Sequence, residues 1–303
     1  MAAVRGAGFS SGVLEDPDFE RLRQDLDEAA GLGLEFVELP FFAMDLIGGG
    51  RILPTQLRRL RKATQGRGLN FTAHGPIAIN FMHPRDALSR HISVARATIE
   101  VAAEIGAVHL VLHTGHMPGQ DEAAIEAAYA AQREALHSLG DIAAIHSLVI
   151  AVENIFVTET GAHTALPSRL AREIEAIGHP NIRGCLDFSH GAITCKAQGA
   201  DYLTEVKALA RVARHLHLHD SFGDPAQLRT YSRSERVAYG LGDLHLPIGW
   251  GNLPWQEMMG AFEFEADVIF NLELAVAYWF AAPESVRAMS GMIETYRARR
   301  SNA

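Results

Sequence analysis

Three histidines at alternate positions mark one stretch of this sequence as a candidate for chemistry. The segment RHLHLHDSFGD, residues 214–224, carries His215, His217 and His219 with single leucines between them. In a β-strand, alternate side chains point to opposite faces, so the imidazoles would share one face and the leucines the other. An interior histidine is more often a hydrogen-bonded core residue than a ligand, and we expect this of His215.

Imidazoles and carboxylates also stand at the ends of five other apolar runs or in the loops that follow. The runs are FTAHGP, LVLHTGH, IAVENI, GCLDFSH and FNLELA, and the loop after residue 220 contains GDLHLPIGWG. The candidate ligands in these segments are His74, His113, Glu153, Asp187, His190, Asp243, His245 and Glu273. Each residue alone is a weak signal, so its meaning depends on whether the fold brings the set together.

Short β-type runs alternate with longer helix-type runs along the whole chain. The predicted strands are 4–10, 36–40, 70–75, 108–115, 148–155, 182–188, 215–220 and 268–274. The predicted helices are 17–33, 54–66, 83–107, 121–147, 167–178, 200–213, 253–262 and 283–300. This alternation, without a linker, predicts an α/β fold: one (β/α)8 TIM barrel over residues 1–303. The longest irregular stretch, 221–251, is predicted to be a functional loop after the seventh strand.

A barrel would bring the strand-end residues to one place. Active sites of TIM barrels lie at the carboxyl ends of the strands, where side chains distant in sequence converge. Carboxylates crowded into a partly desolvated mouth repel one another, and a divalent cation removes that conflict. Mixed imidazole and carboxylate ligands suit zinc, manganese or iron, whereas magnesium prefers oxygen ligands. We therefore predict a divalent-metal site at the mouth.

Composition narrows the class of protein further. Hydrophobic residues make up 48% of the chain and charged residues 21%, which is typical of a globular protein. The N-terminal segment lacks the pattern of a secretory signal, and we expect a cytoplasmic protein. A net charge of −9 disfavours a surface devoted to nucleic acid, although it does not exclude a local basic groove. Cys185 and Cys195 are expected to be reduced thiols.

The motifs resemble those of the xylose isomerase-like TIM barrels, which include sugar and sugar-phosphate isomerases and epimerases and also endonuclease IV. The similarity runs from FVELP to NLELA and is carried by HGPIAINFMHP, VENI, CLDFSH, LHLHDS and DLHLPIGWGNLPW. In epimerase-like members, the resemblance implies a single metal held by Glu153, Asp187, His217 and Glu273. In endonuclease IV, nine residues hold three zinc ions. Their counterparts here are His74, His113, Glu153, Asp187, His190, His217, Asp243, His245 and Glu273.

The resemblance therefore implies one to three ions of zinc or manganese and leaves their number open. His190 could instead touch substrate, as its counterpart does in epimerases. Asp243 and His245 could simply brace the long loop.

One chemistry for this site is isomerisation or epimerisation of a small sugar, keto-polyol or sugar phosphate. A cation on neighbouring carbonyl and hydroxyl oxygens acidifies the C–H between them, and Glu153 and Glu273 would move the proton. His190 is the third catalytic candidate. The candidate substrate-binding residues are Glu38, Phe9, Phe42, Trp250 and Arg229. An interior ion pair is the alternative role for Glu38.

The alternative chemistry is phosphoester hydrolysis, which resembles that of the apurinic/apyrimidinic (AP) endonuclease family 2. Two or three close cations can clamp a phosphate and activate a water. The ligand set favours hydrolysis, whereas the loop after strand seven favours a small molecule, because Arg229, Arg233 and Arg236 are offset there by Asp224 and Glu235.

We favour the isomerase or epimerase, because loops rather than shared ligands decide the substrate. A non-catalytic metal-binding accessory protein is a third alternative. We expect the partner to be a small carbohydrate substrate and expect no association with a membrane. Binding of nucleic acid is disfavoured, and the sequence leaves open whether the chain forms a homo-oligomer.

Overall fold

Eight parallel strands close into a barrel within the part of the chain that the structure describes. The structure is a computed structural model that describes residues 4–12, 19–119, 121–157, 159 and 161–301. The barrel strands are β1 (Val4–Ser10), β2 (Phe36–Pro40), β3 (Asn70–His74), β4 (Ala107–His113), β5 (Val149–Glu153), β6 (Ile182–Asp187), β7 (Ala213–Leu218) and β8 (Val268–Leu272). Each strand pairs with its neighbours in sequence, and β8 pairs with β1. The predicted (β/α)8 TIM barrel is confirmed.

Ten α-helices lie in the described residues, around and between the strands. They are α1 (Glu20–Gly31), α2 (Pro54–Thr64), α3 (Arg85–Glu104), α4 (Glu122–Ile145), α5 (Pro167–Ile177), α6 (Phe188–Gln198), α7 (Tyr202–Ala210), α8 (Arg233–Tyr239), α9 (Trp255–Ala261) and α10 (Ala282–Ser301). None of these helices is both long and apolar enough to cross a membrane. Residues 17 and 18 of the first predicted helix lie outside the described residues. Two short antiparallel pairs complete the sheet structure, Ile47–Gly48 with Arg51–Ile52 and His116–Pro118 with Ala162–Thr164.

Helix α6 is absent from the predicted elements, and it begins directly where β6 ends. The Asp187 carboxylate caps it by accepting a hydrogen bond of 2.7 Å from the backbone N–H of His190. The helix is buried on most sides, including Phe188, Ile193 and Cys195, and therefore lacks the one-sided apolar pattern that identifies a surface helix. As a result, β6 and α6 place two ionisable side chains within one turn of each other.

The two faces of β7 divide as the sequence predicts. Leu216 and Leu218 are buried in the main apolar core between the barrel and its helices. His215 points into the barrel, where its Nε2 lies 3.0 Å from Glu38 of β2 and its Nδ1 lies 3.2 Å from Nδ1 of His109 of β4. Strand β7 ends earlier than predicted, so His219 belongs to the loop.

A long segment, residues 219–254, connects β7 to α9 and contains α8, so the stretch predicted to be irregular is partly helical. Asp220 fixes both ends of this segment. Its buried carboxylate accepts hydrogen bonds from the backbone N–H groups of Ser221 at 2.9 Å, Gly249 at 2.8 Å and Leu253 at 3.3 Å. A Cβ atom on Gly251 would collide with Asp220 and with the backbone of Ser221, so only glycine fits there.

We predict that Asp220→Ala loosens the long segment, because it leaves three backbone N–H groups without their acceptor. The free energy of unfolding should fall by about 1–3 kcal/mol. Limited proteolysis should cut faster within residues 221–251. Asp224→Ala is the matched control, since the partly exposed Asp224 contacts Lys196 and Ala226 and a surface change of this kind costs at most about 0.5 kcal/mol. Equal protease sensitivity in both variants would contradict this role for Asp220.

Candidate metal centre

One buried carboxylate at the mouth of the barrel is surrounded by four imidazoles. Glu153 ends β5 and is 1% exposed. Its Oε2 lies 3.1 Å from His74 Nε2 and 3.3 Å from His113 Nε2. Its Oε1 lies 3.0 Å from His217 Nδ1 and 3.3 Å from His190 Nδ1. The strand register contributes directly, because His113 and Glu153 are paired neighbours on β4 and β5.

Two aspartates extend the cluster toward the long segment. Asp187 is fully buried, and its Oδ2 lies 3.0 Å from His219 Nε2 and 3.8 Å from His190 Nδ1. Asp243 comes from the long segment, and its Oδ2 lies 2.6 Å from His245 Nε2 and 3.4 Å from His190 Nε2. The imidazole of His190 therefore lies between the two aspartates.

Glu273 follows β8 and closes the cluster on its remaining side. Its Oε2 lies 3.5 Å from His217 Nδ1 and 3.7 Å from His245 Nδ1. The structure thus brings together all nine residues of the predicted ligand set, which we call the mouth cluster: His74, His113, Glu153, Asp187, His190, His217, Asp243, His245 and Glu273.

The charges in the mouth cluster are mutually dependent. Burial would raise the pKa of Glu153, but His217 and His113 outweigh it and hold that pKa well below its usual range. Burial would likewise raise the pKa of Asp243, which His245 and His190 hold well below its usual range. In return, Asp243 raises the pKa of His245 to about 10 against the effect of burial. Glu153 and Asp243 are therefore ionised, and positive charge must compensate them.

These donors fit a divalent cation. Five sets among the described residues each have donor atoms within 4.8 Å of one another. The first three are His74 with His113 and Glu153, Glu153 with Asp187 and His190, and His219 with His245 and Glu273. The other two reach deeper into the barrel: Glu38 with His217 and Glu273, and Cys185 with His215 and His217. Imidazole nitrogens and carboxylate oxygens are the ligand types that zinc and manganese accept. The third set includes His219, which the sequence analysis did not assign to the site. Its signal was present in the alternation of 215, 217 and 219.

A second polar layer lies deeper in the barrel. Glu38 is 1% exposed, and its oxygens accept hydrogen bonds from Ser10 Oγ at 3.1 Å and Thr72 Oγ1 at 3.3 Å. Below it, burial lowers the pKa of His109 well below its usual range and also lowers that of His215, so both rings are neutral. Sequence reasoning missed His109 because it lies in the interior of its strand rather than at the end.

The mouth cluster opens into a cavity of about 590 Å³, a size typical of small-molecule sites. Phe42 lines the cavity, with its ring centroid 5.1 Å from that of His74. Ile77 and Val276 form apolar parts of the cavity wall. Arg233 also lines the cavity, and its guanidinium lies 4.3 Å from the centroid of the Tyr278 ring. From the sequence, Arg233 was noted only as one of the cations in the loop.

Glu38 also lines the cavity, whereas the three other predicted pocket residues lie elsewhere in the described structure. Phe9 is buried against Trp279, with ring centroids 4.9 Å apart. Trp250 is 44% exposed and packs against Tyr278. The Arg229 guanidinium lies 5.3 Å over the ring of Tyr231. None of these three candidate side chains belongs to the cavity wall formed by the described residues.

The comparison with known families agrees with the fold. The profile described as xylose isomerase-like TIM barrel matches residues 26–294. The chain belongs to this family. At the level of individual sequences, no curated protein gives a significant match.

Several solved structures superpose over almost the whole chain. A D-tagatose 3-epimerase-like protein is 18% identical with a TM-score of 0.69, covering 97% of this chain and 99% of its own. An L-ribulose 3-epimerase is 18% identical with a TM-score of 0.67, and the superposition covers 99% of this chain and 97% of the epimerase. The IolI protein with a bound zinc atom is 16% identical with a TM-score of 0.64, and the superposition covers 96% of this chain and 98% of IolI. At these identities, the similarity establishes the shared barrel and leaves the substrate to the site itself.

We predict that zinc stabilises the chelator-treated protein, because a cation that binds only the folded state adds stability by mass action. The gain should be about 2.7 kcal/mol at a free zinc concentration of 100 times Kd, measured as an increase in the thermal unfolding midpoint. Glu153→Gln should reduce this gain, since it removes the carboxylate at the centre of the cluster. Glu173→Gln should retain it, because that buried carboxylate pairs with Arg133 and Arg169 outside the barrel. An unchanged midpoint with both zinc and manganese would argue against a metal centre.

Proposed function

We propose that this protein is a divalent-metal-dependent isomerase or epimerase of a small sugar, keto-polyol or sugar phosphate. One observation carries the proposal: two glutamates from separate strands approach the same histidine nitrogen within one small cavity. Glu153 lies 3.0 Å and Glu273 lies 3.5 Å from His217 Nδ1, and both glutamates line the cavity.

Four residues are suited to hold the cation: Glu153, Asp187, His217 and Glu273. The three carboxylates lie 3.0 to 3.9 Å from His217 Nδ1, so their oxygens and this nitrogen face a common space. A divalent cation bound there would acidify the C–H next to a substrate carbonyl and stabilise the negative charge that develops on the substrate oxygens.

The two glutamates would move the proton. In an epimerisation, one carboxylate removes the proton from one face of the substrate carbon and the other returns a proton to the opposite face. Both side chains are suited to this, because β5 and β8 lie three strands apart in the barrel order and approach the cavity from different sides. Glu273 remains 17% exposed, which leaves it accessible to a substrate, whereas Glu153 is almost fully buried.

His190 would position a substrate hydroxyl. Its ring lines the cavity, its Nδ1 contacts the carbonyl oxygen of Asn154 at 3.0 Å, and its Nε2 lies 3.4 Å from Asp243. Phe42 and Ile77 offer apolar contact to the carbon chain. Arg233 offers a positive charge at the rim, which suits a phosphate or an acidic substituent on the sugar.

The substrate class also draws support from the structural neighbours. Two of them bear the names of a D-tagatose 3-epimerase-like protein and an L-ribulose 3-epimerase, which point to sugars as ligands of this barrel. The bound zinc in IolI supports a cation in the mouth.

We predict that the metal-loaded protein exchanges hydrogen between a ketose substrate and deuterated solvent. The reason is that a proton held by either glutamate exchanges with water before it returns to the substrate carbon. Glu153→Gln and Glu273→Gln should each slow this exchange by about 10²-fold or more, measured by NMR of candidate ketoses and their phosphates. Glu126→Gln, a surface variant on α4 that loses only its pairing with Arg169, should retain the wild-type rate. Exchange at the wild-type rate in both active-site variants would exclude the proposed proton transfer.

A second candidate, hydrolysis of a phosphoester resembling that of endonuclease IV, is supported by the extent of the mouth cluster. Asp243 and His245 extend the donor set beyond the four residues that one cation needs. Close to three zinc ions per chain, together with nicking of DNA at abasic sites, would favour hydrolysis over isomerisation. One manganese or cobalt ion per chain and no nicking would favour the isomerase.

A further inference from the structure

Glu38 lies one layer below the mouth cluster, and donors from three neighbouring strands fix its carboxylate. Ser10 Oγ and Asn271 Nδ2 donate to its Oε1 at 3.1 and 3.4 Å, and Thr72 Oγ1 donates to its Oε2 at 3.3 Å. The register explains the set, because Ser10, Glu38 and Thr72 are paired neighbours on β1, β2 and β3. Glu38 is therefore a fixed acceptor inside the barrel.

The imidazole of His217 spans the two layers. Its Nδ1 faces the carboxylates of the mouth, with Glu153 Oε1 at 3.0 Å and Glu273 Oε2 at 3.5 Å. Its Nε2 points the other way and lies 3.1 Å from Glu38 Oε1. This Nε2 is buried, and no described residue gives it an aligned hydrogen bond. The contact with Glu38 is thus the interaction that compensates it.

An ionised carboxylate only accepts hydrogen bonds, so a ring nitrogen that faces it is favoured in its N–H form. The rule holds at both nitrogens of His217, because Nδ1 forms a hydrogen bond of 3.0 Å with Glu153 Oε1. A cation that binds Nδ1 would displace that hydrogen and leave the one on Nε2. His215 makes the corresponding contact with the other oxygen of Glu38, because its Nε2 lies 3.0 Å from Oε2, and this nitrogen too has no aligned hydrogen bond among the described residues. With hydrogen on Nε2, the Nδ1 of His215 is an acceptor, and His109 Nδ1 at 3.2 Å donates to it. One carboxylate therefore favours hydrogen on Nε2 of both His215 and His217, and through His215 it favours hydrogen on Nδ1 of His109.

We propose that Glu38 is a positioning residue that keeps the hydrogen of His217 on Nε2 and thereby presents the Nδ1 lone pair to a cation in the mouth. This inference rests on the proposed metal site. It assigns Glu38 to the histidine rather than to a hydroxyl of the substrate. Groups that orient a metal-binding histidine in this way typically contribute 10- to 100-fold to metal affinity.

The first test is the zinc affinity of Glu38→Gln, measured by competition with a chromogenic chelator. The amide has nearly the same shape but no charge, and its NH2 group can face Nε2 as a donor. We expect zinc affinity to fall about 10- to 100-fold. The matched control is Glu173→Gln, which neutralises another buried glutamate far from the barrel interior and should leave zinc affinity unchanged.

The second test reads the hydrogen position directly. In zinc-loaded protein with ¹⁵N-labelled histidine, we expect His217 to carry its hydrogen on Nε2 and to bind zinc through Nδ1. In Glu38→Gln, the Nε2 hydrogen should exchange faster with water. Where Glu38→Gln fails to fold, Thr72→Val provides the same test in a milder form, because it removes one donor to Glu38 and should weaken zinc binding by a smaller factor.

Wild-type zinc affinity in Glu38→Gln, or zinc bound through Nε2 in the wild type, would overturn the proposal. A protein that binds zinc through Nδ1 of His217 but exchanges no ketose hydrogen would refute the proposed reaction and leave the role of Glu38 intact. A wild-type protein that binds no zinc would refute both.

Discussion

The structure depends on charge compensation among carboxylates that the fold buries together. Glu153, Asp187, Asp243 and Glu273 converge on one mouth, and burial alone would raise the pKa of Glu153, Asp187 and Asp243. An uncompensated carboxylate in such a place is costly, so each must face a positive charge. His190 and His217 supply this charge, since the neighbouring carboxylates raise their pKa against the effect of burial. A bound divalent cation would perform the same compensation and leave the imidazoles neutral.

The barrel brings this set together by register rather than by sequence proximity. In parallel strands, residues at the carboxyl ends share one rim, and paired positions such as Asp187 with His217 become direct neighbours. The interior below the rim has to be filled. A small apolar group, Val111, Ala151 and Cys185, lies beside the polar layer around Glu38, so the residues of the mouth cluster rest on packed side chains.

The long segment after β7 adds what the strands alone cannot supply. Asp243 and His245 come from this segment, and Asp220 holds its two ends against the barrel through backbone N–H groups. A segment fixed in this way can place side chains as reliably as a strand can, because its backbone donors are satisfied by a buried acceptor. Arg233 on the same segment then contributes a charge to the wall of the cavity.

Local periodicity was sufficient to predict the barrel, the eight strands and the residues at their ends, because alternation and helical spacing are properties of neighbouring residues. His74, His113, Glu153 and Asp187 stand at strand ends in the sequence and in the structure alike. Helix α6 escaped prediction because it is buried on most sides. Only the tertiary structure decided which atom of His217 faces which carboxylate, that His219 joins the cluster, and that Phe9 and Trp250 lie away from the cavity. Those facts depend on strand register, ring orientation and loop path across the closed barrel, and no local pattern in the sequence encodes them.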